Sequence, residues 1–179
     1  MAVAEPPVET AAPTKSRRQL RAPDLIDFGS SEYMAAPELE AVGIALIGRE
    51  TSLAHLHGAE ITFLWKAKGG HAKGHRTLGK AQKPSGLLYH FAACDFVIWL
   101  AADHLADLQF TARQIEAVVF HELSHCDYEE DEDSGTGKFT IVGHDVEVFY
   151  AEILKYGAYK EDLHQLAGVF RQLSLDEAR

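Results

Sequence analysis

The stretch TARQIEAVVFHELSHC, Thr111 to Cys126, places the tightest constraint on how this chain can fold. Thr111 followed three residues later by Gln114 is a capping-box pattern, and Ile115, Val118, Val119 and Leu123 then recur at the spacing of one apolar helical stripe. A helix with such a stripe has to bury it against something else. Four residues make just over one helical turn, so His121 and His125 project from one face of that helix. Their ring nitrogens can converge on one tetrahedral Zn²⁺, and Glu122, angled to the side, can reach a water on the metal without ligating it. The five residues His121 to His125 form an HExxH motif.

The chain has the material for the core this helix needs. Its 179 residues are 46% hydrophobic and 25% charged, which fits one folded domain and disfavours a disordered chain, a collagen-like repeat or a coiled-coil rod. Residues 1–22 carry three of the six prolines and a basic cluster of Lys15, Arg17, Arg18 and Arg21 with no apolar period, so they read as a disordered tail and residues 23–179 as the domain. No apolar run nears the ~20 residues of a membrane span and no secretory signal is visible, which points to the cytoplasm. Two cysteines, Cys94 and Cys126, cannot build a disulfide framework and read as free thiols.

The apolar pattern predicts an α+β domain. Pro37 starts a helix that fades near Leu53, and the alternation in EITFLWKAK, Glu60 to Lys68, is that of a half-buried strand. Leu87 to Phe91 and Asp95 to Ala101 read as two more strands, the second apolar on both faces and so interior to a mixed or antiparallel sheet packed on the HExxH helix. The Gly-rich segment between Lys68 and Leu87 reads as an exposed loop or hairpin, and the acidic run Asp127 to Asp133 as a solvated loop without calcium-site spacing. A strand-like FTIV follows, then helices over Val146 to Tyr156, stopped by Gly157, and Asp162 to Leu173.

A catalytic zinc needs a third protein ligand and an open position. His144, Asp145, Glu147, Glu152 and His164 lie downstream; His144 is preferred because it follows a glycine where FTIV turns into a helix, with Glu147 one turn further as the alternative. Asp145 can accept a hydrogen bond from a ligand imidazole. His55, His57, His71, His75, His90 and His104 have no partner at helical spacing and read as surface or hydrogen-bonded residues.

HELSHC at His121 to Cys126 and GHDVEVF at Gly143 to Phe149, preceded by LGKA at Leu78 to Ala81 and DFVIWLAAD, resemble the putative phage metallopeptidase family, a group of small zincin-like domains. A more distant likeness is to the SprT-like proteases. The resemblance spans roughly residues 38 to 157 and implies a zincin-like fold, zinc held by His121, His125 and His144, Glu122 as catalytic base, and a protein or peptide substrate in the cytoplasm of a phage's host. The zinc ribbon that SprT-like proteins often carry has no counterpart in a chain with two cysteines, so their DNA-linked role does not transfer.

Charge agrees with that restriction. The net charge of -10 opposes binding to nucleic acid by bulk attraction, and the basic segment Lys66 to Lys83 lacks stacking aromatics beyond Trp65. Tyr128 and Tyr150 are candidate oxyanion donors, and an extended substrate is expected to pair with an edge strand at Leu87 to Phe91. The rival reading is a zinc-containing interaction module without turnover, which leaves Glu122 without a purpose beside the metal. Neither the substrate sequence nor the oligomeric state is written in these patterns.

Overall fold

Strand β6 (Phe96–Ala101) is the axis of the structure: five of its six residues, all but Val97, are buried, and it is flanked on both sides. The computed structural model describes residues 20–72, 74–130, 137–146 and 150–177. The expected tail falls almost wholly outside them, though Leu20 and Ala22 at its end pack against the core. The sheet order is β1 (Tyr33–Ala35), β2 (Ile61–Lys66), β6, β5 (Gly79–Gln82). β2 and β6 run parallel, in register from Ile61 opposite Phe96 to Lys66 opposite Ala101, while β1 and β5 are antiparallel to their neighbours. The fold is therefore α+β with a mixed sheet, and the doubly apolar β6 lies inside it as its composition requires.

Helix α1 (Pro37–Arg49) begins with Pro37 in its first turn, where a missing N–H costs nothing, and buries Leu39, Gly43 and Leu46. Glu38 accepts a hydrogen bond from the Trp65 indole at 2.5 Å, tying this helix to β2. A 3-10 segment, Thr51–Leu56, continues the apolar run and buries Leu53 and Leu56. After β6 comes the short helix α3 (Ala102–Asp107), and then α4 (Ala112–Ser124), the HExxH helix. Thr111 Oγ1 accepts from the Gln114 amide N–H, and the Gln114 side chain accepts from the Thr111 N–H at 2.9 Å, completing the capping box. The stripe of Ile115, Val118, Val119 and Leu123 is buried against α1, β5 and β6.

Three segments differ from the sequence-based expectation. Leu87 to Phe91 is no strand: α2 (Leu87–Ala92) is a short helix with no buried side chain, Leu87 and Phe91 being 75% and 77% exposed. Both edges of β6 are already taken by β2 and β5, so this run cannot pair directly beside the central strand, and leucines are strong helix formers. The second neighbour of β6 comes instead from the Gly-rich segment, which forms a hairpin as expected, β3 (His71–Ala72) and β4 (His75–Arg76), and then the unexpected strand β5. The acidic run also starts inside a strand, because β7 (Cys126–Glu130) pairs with β8 (Gly137–Ile141). Its acids face solvent while cross-strand pairs hold the ladder, Tyr128 on Phe139 and Glu129 to Lys138 at 3.3 Å. Residues 131–136 lie outside the described residues.

Helix α5 (Tyr150–Tyr156) ends at Gly157, whose φ of +67° lets the chain leave the helix, and α6 (Glu161–Glu177) follows. The start expected at Val146 falls next to residues 147–149, outside the described residues. No described helix is long and apolar enough to cross a membrane.

Gly43 and Gly48 of α1 allow a paired test of the packing. A Cβ on Gly43 would stand 2.4 Å from the Phe63 ring, whereas one on Gly48 meets nothing within 4 Å. Gly43→Ala is expected to lower unfolding free energy by ~1 kcal/mol or more through overpacking, and Gly48→Ala to raise it by ~0.5–1 kcal/mol through helix propensity. Urea denaturation followed by circular dichroism measures both; stabilisation by Gly43→Ala contradicts the α1–β2 packing.

Candidate active site

Helix α4 turns its second face to a shallow trough. Because the apolar stripe fixes the rotation of the helix, His121 and His125 are held on the exposed side next to it. The chain then leaves α4 directly into β7, and the hairpin returns along β8 so that Val142 lies beside the end of the helix. Two hydrogen bonds close this junction. The Val142 N–H donates to the His125 carbonyl at 2.9 Å, and His125 Nδ1 lies 2.8 Å from the Val142 carbonyl. A carbonyl can only accept, so Nδ1 carries the proton and the Nε2 lone pair of His125 is free to ligate.

His144 follows two residues after Val142 and completes the group. Its Nε2 lies 3.2 Å from Nε2 of His121, and its ring centroid is 4.6 Å from that of His125 and 5.1 Å from that of His121. One nitrogen from each of the three imidazoles falls within 4.8 Å of the others. Nitrogens bound to a tetrahedral zinc at 2.0–2.1 Å stand about 3.3 Å apart, so the closest pair already has the spacing of two ligands, and an all-imidazole donor set suits zinc, copper, iron or nickel. Burial, with the neighbouring His125 and His144, lowers the His121 pKa and keeps its imidazole neutral, the form that binds a metal.

Glu122 lies to one side of the imidazoles, buried to 5% exposure. Burial pushes its carboxyl up to about 7, against the opposing pull of His125 and of the Ala81 backbone N–H on β5. The contact with β5 is close because position 79 is glycine: a Cβ there would come within 2.7 Å of the Glu122 Oε1. Cys126, just past the motif, is 1% exposed, and burial followed by the charge of Glu122 pushes its thiol up to about 12, so it is a packing residue.

The other sequence candidates are placed as follows. Asp145 is exposed and borders the trough, while His164 lies on α6, outside the imidazole group. Glu147 and the side chain of Glu152 lie outside the described residues, as does the side chain of Tyr150. Tyr128 is engaged in packing, with its ring on Phe139 and its hydroxyl over Gly137. Of the remaining histidines, His55 bonds the Cys126 carbonyl at 2.9 Å and His104, 5% exposed, bonds the Thr77 carbonyl at 3.0 Å, both in hydrogen-bonded structural roles. The roles of Gly79 and Ala81, met in the sequence only within LGKA, and of Val142, met only within FTIV, escaped sequence reasoning because they act through backbone atoms or a missing side chain, which no residue-type pattern reports.

Two clefts meet at His121 and His144. One, about 550 Å³, runs between α4 and the entrance to β5; the other, about 430 Å³, lies on the side of Ser124, His125 and Asp145.

No curated protein and no solved structure matches the chain at a significant level. The model of the family described as putative phage metallopeptidase matches residues 31–171, a span that contains the whole four-stranded sheet, α4, Glu122 and all three clustered histidines. The chain belongs to this putative phage metallopeptidase family.

Proposed function

We propose that this chain is a zinc-dependent metallopeptidase of zincin-like architecture that hydrolyses peptide bonds of a protein substrate. His121, His125 and His144 hold the ion and Glu122 is the general base. The observation that carries the reading is the convergence of three imidazole nitrogens within 4.8 Å beside a buried carboxyl. A bound Zn²⁺ would supply Lewis-acid polarisation of the scissile carbonyl and lower the pKa of a water to ~7.

The rest of the chemistry belongs to the chain. Glu122 takes the proton of the attacking water and delivers it to the departing amine, so the same carboxyl acts as base and then as acid. The Ala81 N–H and the bare Gly79 hold that carboxyl against β5, so it does not swing away between the two transfers.

An extended substrate is placed on the open edge of β5, whose other edge is bonded to β6 and whose residues flank Glu122. This replaces the edge expected at Leu87 to Phe91, which is helical. The proposed setting is a reducing cytoplasm, in keeping with two free cysteines, Cys94 and Cys126.

Elemental analysis of the purified full chain is expected to give one zinc per molecule. His144→Ala should lose it, whereas Glu122→Gln should keep it and cut peptide turnover by about 10²–10⁴-fold. Stoichiometric zinc in His144→Ala with loss in Glu147→Ala would move the third ligand to Glu147, and unchanged cleavage in Glu122→Gln would leave a binding module.

Gly79→Ala tests the seat of the base. Zinc content should be unchanged while kcat falls by about 10–100-fold, because the added Cβ displaces the carboxylate and small misplacements cost that much. A wild-type kcat in this variant contradicts the role assigned to β5.

A further inference from the structure

The side chains around the larger cleft narrow the substrate class. On α4, Gln114, Ala117, Val118 and His121 follow at helical spacing, so Ala117 and Val118 form an apolar floor between the histidine and Gln114 toward the helix start. Leu78, just before β5, and Phe110, just before α4, wall the same space, which at about 550 Å³ lies within the ~300–1,000 Å³ range of sites that enclose small ligands. Glu122 closes its inner end. The one cation on its rim, Arg76, is already paired with Asp107 at 3.4 Å, so no unpaired cation among the lining residues calls for an acidic guest. Across His121 the smaller cleft is different in kind, with Ser124 and Asp145 in its wall.

We propose that the cleft bounded by Leu78, Phe110, Ala117 and Val118 is a specificity pocket that admits a large apolar side chain of the substrate residue on one side of the scissile bond, with no such demand on the other side. This rests on the peptidase reading above and adds to it the residue that the enzyme selects. A peptide extended along β5 projects alternate side chains to one face, and because Gly79 of β5 and Glu122 both line this cleft, it is the apolar space available to the residue seated beside them. Burying a leucine, methionine, phenylalanine or tyrosine side chain here removes apolar surface from water, while aspartate or glycine in its place forfeits that gain or strands a charge. Because a single methylene in an apolar pocket changes specificity by about 10–200-fold, a preference of ~10-fold or more over small or acidic residues is expected.

The test uses the zinc-loaded full chain and a pool of random decapeptides, with cleavage sites read by mass spectrometry. Leu, Met, Phe and Tyr should be enriched at one position flanking the cut and not at the opposite flank. Ala117→Phe, which fills the cleft from an exposed helix position, should shift that preference toward Ala and Gly. Phe110→Ala, which widens it, should admit Trp. Circular dichroism and zinc content establish that each variant is folded and loaded. In parallel, fluorescence anisotropy on zinc-loaded Glu122→Gln compares labelled decapeptides with a central Leu or a central Asp, and the Leu peptide should bind about 10-fold tighter, an advantage lost when Ala117→Phe is added. Cleavage without an apolar preference, or a preference that neither pocket variant alters, overturns the pocket and leaves the peptidase. Preferential binding of the Leu peptide without any cleavage by wild type supports the pocket and removes the peptidase.

Discussion

The rotation of helix α4 about its own axis is the constraint on which the site depends. Each residue turns a helix by about 100°, so burying Ile115, Val119 and Leu123 leaves no freedom in where His121 and His125 point. The same packing sets Glu122 against β5, one residue round from His121 and on the border between core and trough. A helix seated on two strands and on α1 is stiff, and Arg49 of α1 reaches across to Glu116 to join the two helices at the surface. Chemistry-bearing side chains thus inherit their precision from apolar ones that do no chemistry.

His144 depends on a different device. It is 19 residues past His125 and owes its position to the β7–β8 ladder and to the reciprocal bonds between His125 and Val142. One of those bonds fixes which His125 nitrogen faces the group, so the element that delivers the third imidazole also sets the tautomer of the second. His55 adds a bond from the 3-10 segment to the Cys126 carbonyl, at the point where α4 gives way to β7. The junction is braced from both sides.

Features encoded by local periodicity were legible in the sequence: the cap at Thr111, the stripe along α4, Pro37 at the head of α1 and the doubly apolar run of β6. His121, His125 and His144 were legible too as a group that meets in space: helical spacing pairs the first two, and the place of His144 after FTIV pointed to the third, although the β7–β8 ladder that delivers it was not foreseen. What stayed hidden was decided by pairing. LLYHF has strand-like residues yet forms a helix outside the sheet, and GKAQ has weak strand propensity yet takes the second side of β6. The acids of β7 likewise tolerate a strand because the partner strand supplies Phe139 and Lys138 opposite them.

One cleft lies on each side of His121. Under the peptidase reading, clefts on both sides of the proposed ion leave room for substrate residues on either flank of the cut bond. An extended guest lying against β5 must also surrender its own hydrogen bonds before it can enter. How fast a folded target is cut would then follow the free energy of opening the segment that carries the bond, and loops or loosened edges of that target would be nicked long before its core.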